Sequence, residues 1–78
     1  MINYTIVTYY LAFNVAYMDR QRAETITFDY SHKGEYVKEL YVIIENDNAP
    51  DSFITDSDGY LYFYQLQHAI DEIKQLQE

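Results

Sequence analysis

The residues with the most chemical potential are carboxylates. Glu45, Asp47, Asp51, Asp56 and Asp58 fall between positions 45 and 58, with no lysine or arginine among them. Within that run, Asp56-Ser57-Asp58-Gly59 approaches the calcium loop D-x-[DN]-x-[DN]-G. Aligned on Gly59, however, Ile54 stands where the first aspartate belongs and Gln65 where the bidentate glutamate belongs. With two of its strongest ligands missing, the tetrapeptide reads as a turn, and no metal is expected. His68, with Asp71 and Glu72 three and four residues on, has the spacing of a general base and an orienting carboxylate on one helix face. His32, beside Lys33, is the other histidine. Such a trio is more commonly a solvated helix face with a weak pair. There is no cysteine, hence neither a disulfide framework nor a thiolate site. Gly34 and Gly59 are the only glycines and form no phosphate-cradling loop. No catalytic set and no cofactor are expected.

Charge and aromatic content are more telling. The 78 residues carry thirteen acids and five bases, a net charge of −8. Up to residue 44 the acids (Asp19, Glu24, Asp29, Glu35, Glu39) nearly balance the bases (Arg20, Arg22, Lys33, Lys38). From residue 45 on, eight acids face Lys74 alone. Direct nucleic-acid binding needs cations to neutralise phosphates, so it is not expected, and neither is an anionic membrane surface. A hydrophobic fraction of 49% is too high for a disordered acidic tail. Ten tyrosines exceed what a thin core can hide. Tyr60, Tyr62 and Tyr64 alternate with Leu61 and Phe63, so they share one strand face and are expected to present anchors to a protein partner.

These residues need a scaffold. The length allows one domain, residues 1–78, which can bury about 63% of its extended-chain surface. From Tyr4 to Tyr17 the odd positions Val7, Tyr9, Leu11, Phe13, Val15 and Tyr17 form an apolar row, the period of a half-buried strand. The run is long, so a bend or bulge is expected between Ala12 and Asn14. Asp19 to Ala23 reads as a polar turn and Glu24 to Tyr30 as a second alternating strand. Ser31-His32-Lys33-Gly34 then reads as a hairpin loop. Between Glu35 and Glu45, Tyr36, Leu40, Ile43 and Ile44 also fit a helical stripe, but the β-branched Val42-Ile43-Ile44 favours a strand. Residues 45–51 form a loop. Ser52 to Thr55 and Tyr60 to Phe63 read as a hairpin around Asp58-Gly59. From there the period changes: Leu66, Ala69, Ile70, Ile73 and Leu76 mark an amphipathic helix whose stripe should cover the greasy sheet face. The fold expected is α+β, an antiparallel meander of about four to five strands packed by one C-terminal helix. Its core should unite Val7, Leu11, Phe13, Ile26, Phe28, Leu66, Ile70 and Ile73.

In size, α+β character, lack of a catalytic set and acids from Glu45 to Asp58, the chain resembles small acidic proteins of phages and mobile elements. That group, which includes anti-CRISPR and DNA-mimic inhibitors, blocks host nucleic-acid defence enzymes and shares no diagnostic motif. The resemblance implies an inhibitor that occupies the basic surface of a nucleic-acid-handling partner in the host cytoplasm. Glu45, Asp47, Asp51, Asp56 and Asp58 would supply charge, and Tyr60, Tyr62 and Tyr64 the anchors. The N-terminus has no basic region before its apolar stretch, and Asp19, Arg20 and Arg22 end that stretch short of a membrane span. The alternative reading is an assembly protein that homodimerises through its tyrosine-rich sheet, the acids serving solubility alone.

Overall fold

The computed structural model describes residues 2–31 and 37–78, with backbone only for 29–31. Five strands and two helices follow in the order β1 (Tyr4–Ala12), β2 (Val15–Tyr17), α1 (Arg20–Ser31), β3 (Lys38–Glu45), β4 (Ser52–Ile54), β5 (Leu61–Phe63) and α2 (Leu66–Leu76). The strands form one curled antiparallel sheet in the order β4-β2-β1-β3-β5. The α+β class and the C-terminal helix are those the sequence indicates. The connectivity is not that of a meander, because only β1 and β2 are neighbours both in the chain and in the sheet.

The long first run is a hairpin and not one bent strand. Its two-residue turn, Phe13-Asn14, brings Ala12 opposite Val15 and Leu11 opposite Ala16. The odd row of β1 therefore ends at Leu11, and Phe13 lies at the tip, 59% exposed, with φ 59°. Within the segment 35–45, residues 38–45 are strand. β3 pairs with β1 over its whole length, Lys38 opposite Leu11 through to Glu45 opposite Tyr4.

Residues 20–31 overturn the expectation of a polar turn followed by a strand. Arg, Gln, Ala and Glu favour helix in the first half, and Asp19 starts it. Its carboxylate accepts the Gln21 N–H at 3.0 Å and its carbonyl the Ala23 N–H at 3.3 Å. Arg20 and Glu24 pair one turn apart, Nε to Oε1 at 2.9 Å. Thr25 and Thr27 donate their hydroxyls to the carbonyls four residues back, Gln21 and Ala23. Ala23 and Thr27 are the buried positions, four apart, as one helix face requires. The alternation of Ile26 and Phe28 has no structural counterpart, for Phe28 is 59% exposed. The hairpin loop expected at 31–34, including Gly34, lies largely outside the described residues. β3 takes β1 and β5 as its partners, and residues 24–30 belong to α1.

β4 and β5 exist as expected but do not pair; they form opposite edges of the sheet. The sheet curls so that these edges approach each other, placing the Phe53 ring 4.9 Å from Tyr60 and 5.2 Å from Tyr9. The segment read as a hairpin turn instead spans from one edge to the other, with Gly59 at φ 80°. Inside the curl lie Tyr9, Ala16, Leu40, Val42, Ile44 and Phe53, flanked by Val7, Leu11, Ala49, Tyr60 and Tyr62. The Tyr9 hydroxyl donates to the Pro50 carbonyl, tying the loop after β3 to the sheet.

The greasy face thus closes on itself, and the helices lie on the other one. Arg20 and Arg22 of α1 sit over Tyr10 and Tyr17, which face away from Leu11. Leu76 of α2 lines a cleft with Tyr4, Ile43 and Leu61, also of that face. The expected core is corrected accordingly. Val7 and Leu11 pack beside it, Ile26, Ile70 and Ile73 are half-buried outside the curl, and Phe13, Phe28 and Leu66 are exposed.

Candidate functional site

The five acids occupy three settings. Glu45 ends β3, and the chain then turns through Asn46 and Asp47 at φ 54° and 60°, closed by Asn48 N–H to the Glu45 carbonyl at 3.2 Å. Two successive positive φ values suit Asn and Asp, whose short polar side chains tolerate the left-handed region. The turn is tied to the start of β1. Asn46 N–H donates to the Asn3 carbonyl at 2.8 Å, and Asn3 N–H to the Asn46 side chain at 3.2 Å. Asp47 accepts the Thr5 hydroxyl at 3.4 Å.

Asp58 has a structural task. Its Oδ2 accepts the Ile54 N–H at 2.7 Å, closing the turn after β4. Neighbouring Met18 and Thr55 N–H groups reach across to Asp51 and Asn14, so the β4 ladder uses odd residues and Ile54 N–H points to the open edge. Asp58 thereby occupies one edge donor that would otherwise be open to another strand. Asp56 is exposed in the same turn.

Asp51 is elsewhere. It lines a cleft with Tyr17, Met18, Asp19 and Arg22. Glu45 and Asp58 instead share a cleft of about 370 Å³ with Tyr60, Ile43, Leu61 and Leu76. The run that is continuous in sequence is therefore divided in space, Glu45 and Asp58 brought together and Asp51 set apart.

The tyrosines also differ from expectation. Tyr60 and Tyr62 turn toward the curled core and are half-buried, while Leu61 is 47% exposed. The alternation was sound but its sense was inverted, because the edge strand faces the concave side with its tyrosines. Tyr64 is exposed at 57%, its ring 6.1 Å from Tyr62 and beneath the Lys38 ammonium at 5.7 Å.

The cations complete the electrostatic pattern. Arg20 lies 5.8 Å from the Tyr10 ring centroid, Arg22 5.0 Å from Tyr17, and Lys38 over Tyr64. Among the described residues the one ion pair is Arg20–Glu24. No acid from Glu45 onward has a cationic partner there.

The catalytic alternative gains no geometry. His68 is exposed on α2, and Asp71 accepts Gln67 Nε2 at 3.0 Å in place of a histidine. His32 lies outside the described residues. Among the described residues no three His, Asp or Glu side chains converge as metal ligands, and no helix is long and apolar enough to cross a membrane.

No protein-family model, curated protein or solved structure matches the chain. The mixed cleft was missed by sequence reasoning, since it joins β3, the approach to β5 and the end of α2. The signal available was the i, i+3, i+7 placement of Leu76 relative to Ile73 and Ala69, which carries the apolar stripe to the helix end.

Proposed function

We propose that this chain is a non-enzymatic binding module whose acidic second half occupies a basic, nucleic-acid-binding surface of a partner protein and so inhibits it. One observation carries the reading. Arg20, Arg22 and Lys38 lie on tyrosine rings, and Arg20 also pairs with Glu24, while Glu45, Asp47, Asp51, Asp56 and Asp58 are exposed with no ion pair among the described residues; of the five, Asp51 alone shares a cleft with an arginine, Arg22. Such a surface steers encounter with a positive partner and repels nucleic acid. Tyr64 supplies the exposed aromatic contact, and Tyr60 and Tyr62 support it from behind.

The test uses the full chain and a variant carrying Glu45→Gln, Asp47→Asn, Asp51→Asn, Asp56→Asn and Asp58→Asn as paired baits. Each exposed ion pair contributes about 0.2–1 kcal/mol, so the five together should weaken binding about fivefold or more. The expected catch is a nucleic-acid-handling protein held by the wild type, displaced by added double-stranded DNA, and lost by the variant. Raising salt should imitate the variant as the Debye length falls from about 10 Å at 0.1 M to about 3 Å at 1 M. Equal retention by both baits at both salts would sink the proposal.

A further inference from the structure

We infer that the cleft at the end of β3 takes an arginine side chain presented by the protein partner. This rests on the reading above, for it names the group that a basic partner would insert. Ile43, 5% exposed, forms the cleft's floor, and Leu61 and Leu76 leave 47% and 39% of their surface open beside it. Tyr4 and Tyr60 also line it, and the exposed Glu45 and Asp58 add carboxylates. The bond from Ile54 N–H holds the Asp58 carboxylate in place and uses one of its two oxygens.

Each part matches a different piece of arginine. The aliphatic stem covers leucine and isoleucine surface, the guanidinium plane lies against a tyrosine, and its fork of N–H groups reaches carboxylate oxygens. A lysine ammonium offers a point charge with neither plane nor fork and fits less of the site. The volume of about 370 Å³ accommodates one such side chain and some water.

The chain supplies its own comparison. In the cleft lined by Tyr17, Met18, Asp19, Arg22 and Asp51, an arginine already lies over a tyrosine beside two carboxylates, Arg22 to Tyr17 at 5.0 Å. The β3 cleft likewise has tyrosine, carboxylates and an apolar wall, and among the described residues no Lys or Arg lines it. The position filled from within in one cleft is open to a partner in the other.

The probe is acetyl-Gly-Arg-Gly-amide, titrated into the full chain while backbone amides are followed by NMR, with the lysine and citrulline peptides as comparisons. Shifts should concentrate at Glu45, Gly59, Leu61 and Leu76 with a Kd on the order of 1 mM. Citrulline, which keeps the shape and loses the charge, should give none, and lysine should bind more weakly. Glu45→Gln should weaken the arginine peptide about two- to fivefold, the range for an exposed pair, and Asp71→Asn on the outer part of α2 should not. An absence of shifts at tens of millimolar, equal shifts with lysine or citrulline, or equal effects of E45Q and D71N would each overturn the inference. The proposed function would survive those outcomes provided the five-acid variant still loses its partner. Loss of the proposed function with localised arginine shifts intact would be the opposite failure.

Discussion

Inside the curl, Tyr9, Leu40, Val42 and Ile44 are 0–1% exposed and the Phe53 ring packs edge-on to Tyr9. On the opposite face the buried residues are the small Ala12, Ala23, Thr27 and Ala69 together with Ile43, while Phe28, Leu66 and Leu76 are left partly in water. Large side chains interdigitate on one face; on the other, apart from Ile43, the buried positions are small residues that permit close approach and bury little apolar area each. The difference separates two tasks. The concave face holds the fold, and the acids from Glu45 to Asp58 are exposed and contribute little to that core, although Asp58 also closes the turn after β4.

The largest effect should come from setting one face against the other. Phe53→Ala removes a buried ring that bridges both sheet edges, and should cost about 3–5 kcal/mol. That is much of what a domain of this size has to lose. Ile70→Ala, on half-buried α2, should cost about 1 kcal/mol, roughly half the transfer energy of a fully buried side chain. Urea melts of both variants decide the point. If Ile70→Ala proves as damaging as Phe53→Ala, the helical face carries the fold equally and the separation fails.

Tyr9 sharpens the comparison because it is the polar member of the concave core. Burial, with Tyr60 and then Asp51 nearby, raises its phenol above the usual 10.0. Above about pH 10 the unfolded chain sheds this proton while the folded chain keeps it. The contribution is therefore whole below the unfolded value and is lost as pH climbs through the raised folded one. Tyr9→Phe removes the donor to the Pro50 carbonyl and should cost about 1–3 kcal/mol near neutral pH. It should also flatten the alkaline fall in stability. An alkaline limb unchanged in Tyr9→Phe would assign that fall to other tyrosines.

Much of this arrangement was legible in the sequence, and the failures share a cause. β3 declared itself through Val42-Ile43-Ile44, and α2 through the spacing from Leu66 to Leu76, because in both the local preference and the burial pattern agree. In α1 they disagree. Thr25, Ile26, Thr27 and Phe28 favour strand locally, whereas the cap at Asp19 and the Arg20–Glu24 pair start a helix that the sheet face then supports. The actual partners of β4 and β5, which are β2 and β3, were hidden for another reason. An Asp-Gly turn signals a reversal, but which strands it joins depends on how far the sheet curls, a non-local property. The same curl decided which tyrosines of 60, 62 and 64 face inward. The acids were visible as a run, and their division between two clefts depended on contacts more than twenty residues apart in sequence.

Phe13 tests the end of the concave face, where the apolar row stops. It occupies the first central position of a two-residue hairpin turn at φ 59°, and Asn14, the second, does not share the positive φ. That pattern belongs to the type II′ turn, which takes glycine at its first position because a Cβ there crowds the backbone. A phenylalanine held so is strained by about 1–2 kcal/mol. Phe13→Gly and Phe13→Ala delete the same ring and its contacts, and they differ only in the Cβ. The glycine variant should be the more stable of the two by about 1 kcal/mol, the relief of strain being partly offset by the greater freedom of glycine in the unfolded chain. Thermal melts of the pair would show a few degrees between them, since about 1 kcal/mol moves the midpoint of a domain this small by about 4–8 °C. Equal midpoints would mean that the turn relaxes to accept a side chain, and the hairpin tip would then be as tolerant as the acidic turns at the other end of the sheet. A separated pair would instead extend the strict packing demands of the concave core to the turn that joins its first two strands.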